Sequence, residues 1–391
     1  MKKYLYKIYD KTGQYLTTWT DVVSEPTFSQ VLNGGYTELK VKLARSVFAF
    51  GEGQDVMYDN QLKLYVMDKE TNEQGALIYT GYISLYNPST EGKTEEIEVT
   101  FLSYWAQLGR ELLESAGATE VAYNTDPSLI LKDVLDKYSA GGGKLDYSGG
   151  SVDLTGTTAI YTFNTNTYAE CLLKIIELAP AGWYIKIDPN NVVSMKAKPL
   201  TVQHMFTIGQ DILAFRPEKR TESIVNKIYF TGLGIFRKFQ TIGSINKYGV
   251  YAKKMVDTKV SDPDTANLMA QRVLNAFGDP ETRVVVKIAD SNGSEKGYDI
   301  ESINVGDMCK IHNTSTKAEN VWDALMFDVD SWDYELINAA ALPLQIQKIE
   351  YHPDYAVLEL SNRQPDISKR IEDINKSLVD SLTAGNPSTP S

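Results

Sequence analysis

A strand pair near the N-terminus of this chain recurs, with similar residue classes in the same order, shortly before the C-terminal segment. The early copy reads Gly81-Tyr82-Ile83-Ser84-Leu85-Tyr86, a polar turn, then Ile97-Glu98-Val99-Thr100-Phe101-Leu102-Ser103. The late copy reads Gln345-Ile346-Gln347-Lys348-Ile349-Glu350-Tyr351, a shorter turn, then Tyr355-Ala356-Val357-Leu358-Glu359-Leu360-Ser361. Both alternate apolar and polar residues, so each predicts an antiparallel hairpin with one buried face. A chain that builds one small β-module twice is suited to assembly, because duplicated modules let few subunits make a ring of many.

The flanking pattern gives each hairpin a module. Residues 4–10 alternate, Lys11-Thr12-Gly13 turns the chain, and period-two strands follow at 28–32, 38–43 and 61–66, with Asn33-Gly34-Gly35 as the turn between the first two. With the hairpin at 78–103 this predicts a barrel or sandwich of about six strands over residues 1–108. Residues 109–200 read as an α+β insert. Asp126-Pro127 opens a helix that Gly141-Gly142-Gly143 stops, a second helix fits 168–179, and a hairpin follows at 183–196 around Asp188-Pro189-Asn190-Asn191. Residues 201–364 read as a second β-module. Its strands are expected at 224–231, 235–242, 283–289 and 308–312 and in the late hairpin, with one helix at 262–277 capped by Asp262-Pro263.

Past Pro365, the residues Ile367, Ile371, Ile374 and Leu378 are spaced 4, 3, 4, a two-heptad stripe expected to form an oligomerisation helix over 365–383. Isoleucine at both a- and d-type positions leans toward trimers or higher. So short a helix does not hold subunits together alone, so the β-modules must supply most of the interface. Residues 384–391 read as a disordered Gly/Pro/Ser/Thr tail.

Composition sets limits on function. The 391 residues carry a net charge of −12, which argues against wrapping nucleic acid by counterion release. The stretch 247–254, with three lysines among tyrosines, reads as a solvated strand. There is no apolar run of ~18 residues and no signal-peptide core, so the chain is expected to stay soluble in a cytoplasm, with no membrane-spanning segment. Cys171 and Cys309 lie far apart, in helix and strand patterns where buried free thiols are common, and nothing in the sequence supports the alternative of a disulfide between them.

No catalytic constellation emerges. Gly92-Lys93-Thr94 imitates the end of a phosphate loop, but Asn87 stands where the leading glycine should be and the triplet joins two strands. Gly232-Leu233-Gly234 has Arg237 where a dinucleotide fingerprint needs glycine. His204, His312 and His352 share no zinc spacing, and no nucleophile elbow exists. The acidic run Asp328, Asp330, Asp333, Glu335 resembles a calcium loop, yet Trp332 and Asp333 occupy a ligand position and the glycine turn. The expectation is therefore no enzyme, no cofactor and no metal. Tyrosine-rich strands keep a glycan-binding or glycosidase alternative open, with cross-strand aromatic pairing as the plainer account.

Together the opening Tyr-x-x-x-Ile-Tyr-Asp strand, the Asn33-Gly34-Gly35 turn, the TGYISLY hairpin closing in VTFLSY, the insert with Gly182-Trp183 and the late IQKIEYHPDYAVLELSN resemble phage tail-tip proteins. The chain is similar to the baseplate hub or tail-associated family of long-tailed bacteriophages, related to the trimeric hub of contractile-tail baseplates. The resemblance spans residues 1 to about 380. It implies a mainly β, α+β fold with two tube-like antiparallel β-barrels, and a homotrimer whose six barrels match a sixfold tail tube. It also implies a tail tube or distal tail protein above, a tip, fibre or spike protein below, and genome DNA passing through without specific binding. The place implied is the virion tail tip, after assembly in the host cytoplasm. Many members continue into a peptidoglycan-cleaving or fibre domain; this chain stops after the short helix, so no lysin activity is expected. A host-receptor or glycan-binding tail module is the alternative, and a cell-wall hydrolase a lesser one.

Overall fold

Alternating side chains close the N-terminal part of the chain on itself. The computed structural model describes residues 2–44, 55–67, 73–91, 94–220, 223–291, 297–313 and 343–364. Its first eight strands are β1 (Tyr4–Tyr9), β2 (Tyr15–Trp19), β3 (Phe28–Val31), β4 (Gly35–Tyr36), β5 (Leu39–Leu43), β6 (Gln61–Met67), β7 (Gln74–Glu91) and β8 (Thr94–Leu102). Six of them form one sheet in the order β2-β1-β6-β7-β8-β5. The chain leaving β2 then meets β5, with Val23 N–H donating to Lys42 O at 2.9 Å and Ala44 N–H to Asp21 O at 2.8 Å, which closes a barrel. β5 shows why it forms: Leu39, Val41 and Leu43 are fully buried, while Lys40 and Lys42 face water. Leu62, Leu64, Tyr79, Ile97, Val99 and Phe101 complete the interior.

After a short helix α1 (Tyr104–Gln107), the middle of the chain holds β9 (Glu120–Thr125), α2 (Pro127–Ala140), β10 (Ala159–Asn164), α3 (Tyr168–Leu178), β11 (Trp183–Ile187) and β12 (Val193–Ala197). The helix starts follow local chemistry. Asp126 accepts from Ser128 N–H at 2.8 Å with Pro127 at the first turn, and Thr167 and Glu170 form a reciprocal capping box.

The second barrel uses β13 (His204–Ile208), β14 (Ile212–Arg220), β18 (Glu281–Ala289), β19 (Met308–Asn313), β20 (Leu344–Tyr351) and β21 (Tyr355–Ser361), in the order β19-β13-β14-β18-β21-β20 with β20 returning to β19. Between β14 and β18 lie β15 (Lys227–Thr231), β16 (Phe236–Gln240), α4 (Ile242–Tyr248), β17 (Ala252–Val256) and α5 (Pro263–Phe277). These do not pack in the barrel. Ile228, Phe230, Met269 and Leu274 share one apolar cluster with Leu131, Val134, Leu172 and Ile176 of the insert. The stretch 201–364, expected as one module, is thus divided between barrel and insert. The apolar face of α5 has to be covered, and α3 and β10 cover it. The strand expected at 235–242 stops at Gln240, and the lysine stretch 247–254 is split between α4 and β17.

The hairpin echo extends to the whole neighbourhood. The four consecutive strands β5–β8 are arranged in the order β6-β7-β8-β5, and the four consecutive strands β18–β21 in the order β19-β20-β21-β18, antiparallel throughout. Both hairpins carry a β-bulge at the same step, after Ile83 opposite Phe101 and after Ile346 opposite Leu360. Both isoleucines are held alike. Ile83 N–H donates to Asn60 O at 2.8 Å and its carbonyl accepts from Asp59 at 3.1 Å; Ile346 N–H donates to Asp307 O at 2.9 Å and its carbonyl accepts from Gly306 at 2.8 Å. Asp59 and Gly306 both have positive φ, 65° and 90°. The closing strands differ: the first barrel uses the hairpin β1–β2, whereas in the second β13 runs parallel to β19.

Gly306 is the more constrained of the two turn residues, because a Cβ there would collide with the Tyr184 ring. Gly306→Ala is expected to lower unfolding free energy by about 2–5 kcal/mol, from left-handed backbone strain plus overpacking. Gly13→Ala, at φ 93° in open space, should lose only the backbone part, about 1–2 kcal/mol. Urea unfolding of the two variants measures the difference.

Candidate assembly surfaces

The first surface joins the two barrels inside one chain. β3 leaves the first barrel and pairs antiparallel with β20 of the second, Phe28 opposite Tyr351 and Val31 opposite Lys348. The sequence placed this strand in the first module. It lies in the second barrel's sheet because β20, past its bulge, offers an edge that β19 does not fill. Aromatic rings bridge the seam: Phe28 lies 5.1 Å from Tyr79 of the first barrel and 5.1 Å from Tyr351 of the second, stacked on the latter. The Asn33-Gly34-Gly35 turn has a larger task than reversal. Asn33 Oδ1 accepts from Ile185 N–H at 2.7 Å, its own N–H donates to Ile185 O at 3.1 Å, and Leu32 is buried in the second barrel's core.

A buried charge cluster makes a second tie. Lys2 Nζ lies 3.0 Å from Asp290 Oδ1 and also contacts Glu301 Oε1, connecting the start of the chain to the end of β18 and the loop before β19. Among the described residues, Asp290, Asp299 and Glu301 are the one group of carboxylates close enough together to share a cation. The single ammonium of Lys2 contacts both Asp290 and Glu301 and offsets one carboxylate charge. Burial, followed by hydrogen bonding to Asp299, nevertheless raises the Glu301 carboxyl above its ordinary range.

A groove of about 790 Å³ runs between α3, α5, β17 and the chain leaving β21. Two of its charged groups, Lys174 and Arg272, are occupied with structure. Lys174 Nζ bonds Glu177 at 2.8 Å and Asp257 at 2.6 Å, and those carboxylates raise its pKa despite burial. Arg272 is buried and donates to Ala179 O, Pro180 O, Trp183 O and Gln364 Oε1 at 2.8–3.4 Å. Among the described residues that line the groove, no nucleophile is hydrogen-bonded to a base.

The histidines stay separate. His204 bonds Tyr298 Oη at 2.9 Å and Asp307 at 3.0 Å, His352 bonds Glu350 at 3.0 Å, and His312 is exposed on β19. Cys171 and Cys309 are free and buried, and burial pushes both thiols well up, away from reactivity. The oligomerisation stripe Ile367, Ile371, Ile374 and Leu378 and the acidic run 328–335 lie outside the described residues, as do Gly92 and Lys93; Thr94 opens β8. Lys2, Arg272 and the tethering role of Asn33 went unread. Lys2 and Arg272 are single charges whose partners lie 89 or more positions away, and no local spacing marks them. No helix among the described residues is long and apolar enough to cross a membrane.

No protein-family model and no curated relative matches the sequence. Solved structures do. The chain is similar to a 43 kDa tail protein of prophage MuSo2 from Shewanella oneidensis, with 12% identity over 92% of this chain and 97% of the other at TM-score 0.56. It is similar to a tail protein from Neisseria meningitidis MC58, with 8% identity over 93% and 99% at TM-score 0.58. It is also similar to prophage tail protein gp18 from Listeria monocytogenes EGD-e, with 13% identity over 97% and 99% at TM-score 0.56. The fold is that of phage tail proteins, mainly β with few helices, as the resemblance in the sequence implied.

Proposed function

We propose that this chain is a virion structural protein of the phage tail tip, a trimeric hub whose three subunits present six barrels to a sixfold tail tube. The observation that carries the reading is the double barrel: one strand order, one bulge and one pair of turn hydrogen bonds, each made twice in a single polypeptide. Two near-equivalent modules in one chain turn threefold symmetry into pseudo-sixfold symmetry, which a single-barrel subunit achieves only as a hexamer. The β3–β20 seam fixes the two modules side by side, as neighbours in a ring require. The neighbours' description as tail proteins supports the same place in the virion.

In this reading the barrels dock on a tail tube or distal tail protein above, and the stripe Ile367, Ile371, Ile374 and Leu378 gathers the three C-termini toward a tip, fibre or spike protein below. The net charge of −12 lets genome DNA slide through the channel without sticking. The chain does no chemistry of its own. Antibodies raised against it should decorate the tail tip of intact virions in electron micrographs, at one end of the tail only. Labelling along the tail shaft, on the capsid, or in the unassembled fraction alone would contradict the assignment.

A further inference from the structure

The element that joins the barrels has a positional counterpart. β3–β4 is inserted between β2 and β5 of the first barrel and lies on β20, the hairpin strand of the second. The equivalent interval of the second barrel, between β14 and β18, holds the sheet β16-β15-β17. Ile228 and Phe230 turn its inner face into the core. On its outer face Tyr229 stands between Lys238 and Lys254 in register, with Lys227 Nζ 5.1 Å from the Tyr229 ring. None of these three lysines forms an ion pair among the described residues. The next row is apolar, with Phe236 72% and Val256 55% exposed on either side of Thr231. In an acidic chain this face is a local reversal of charge.

The hairpin of the first barrel carries the complement. Beyond its bulge Leu85, opposite Thr100, is exposed on the outer face of the hairpin, while the next residue, Tyr86, turns the other way toward the barrel core. Along β8, Glu96 and Glu98 share the Leu85 face and are partly exposed.

We propose that the outer face of β16-β15-β17 docks on the outer face of the β7–β8 hairpin of a second copy of this chain, Phe236 and Val256 against Leu85 and the lysines against Glu96 and Glu98. The proposal rests on the ring reading above and names the contact that would close the ring. Inside a chain, the first barrel's insertion reaches the second barrel's hairpin; between chains, the second barrel's insertion reaches the next first barrel's hairpin. Such a contact is head-to-tail, and in the proposed trimer it would recur three times around the ring. The apolar row beside the lysines suits a protein surface better than a phosphate backbone, which offers no apolar contact.

Sedimentation equilibrium of the full chain tests this with Lys238→Glu/Lys254→Glu, with Glu96→Lys/Glu98→Lys, and with all four changes together. Each pair should raise the concentration for half-assembly at least ~tenfold, through like charges brought together. The fourfold variant should recover the wild-type value, and thermal melts of the variants at low concentration should match the wild type. A wild-type trimer indifferent to both reversals, or a fourfold variant no better than the pairs, overturns this interface and leaves the trimer standing. A wild-type chain that never leaves the monomer overturns both.

Discussion

Arg272→Leu should cost the folded subunit about 3–5 kcal/mol, the range for stripping the charged partner from a buried, fully hydrogen-bonded site. The guanidinium spans three elements: the end of α3 through Ala179 O and Pro180 O, the start of β11 through Trp183 O, and the exit of β21 through Gln364 Oε1. Leucine removes the donor from all four acceptors, leaving Pro180 O with only its long bond from Trp183 N–H at 3.3 Å, and Gln364 Nε2 already lacks a partner among the described residues. Among the described residues no carboxylate touches the group. Burial lowers its pKa to about 10, with Glu177 at a distance opposing the shift. It therefore stays charged near neutrality in both folded and unfolded chains, and the loss should be the same at pH 6 and pH 8. Arg272→Lys keeps the charge but cannot span four acceptors with one compact ammonium, so it should recover less than half of the loss. Urea unfolding with unchanged slope would place the effect in the native state.

Lys2→Met should produce a loss of about 3 kcal/mol at pH 7 that does depend on pH. Lys2 and Asp290 have side chains only 5% and 2% exposed, and Glu301 is 19% exposed. Removing the ammonium takes away the one influence that lowers the Glu301 pKa, leaving burial and the neighbouring carboxylates, which raise it. The sign follows from proton binding. A carboxyl whose folded pKa lies above its unfolded value holds more protons when folded, so falling pH favours the native state. The deficit of the variant should shrink from pH 7 toward pH 5, and Lys2→Met/Glu301→Gln should be less destabilised than Lys2→Met at pH 7. A deficit that is flat across this range would remove the cluster from the account.

Much of this architecture was legible because it is local. The alternation in β5 and β18, the Asp126-Pro127 and Asp262-Pro263 helix starts and the two hairpins each depend on residues within a few positions of one another. The hairpin echo was legible for the same reason, and the shared bulge and the Asp59 and Gly306 turns extend it from two strands to four. What the sequence hid is long-range. β3 reads like any strand of the first barrel, and only the unfilled edge of β20 decides that it belongs to the second. α5 reads as a helix, but nothing in its own stripe says whether a barrel or α3 will cover it. Lys2 finds its partners almost 300 positions away, a pairing that no spacing rule reaches.

The central claim is that duplicated barrels let three copies mimic six. Mass photometry of the purified chain, joined to class averages of the same particles, tests it most directly. The account predicts particles of three times the 43.7 kDa protomer mass, seen end-on as a ring of six lobes around a channel. Particles of one, two or six protomers, or a threefold particle without six lobes, would contradict it.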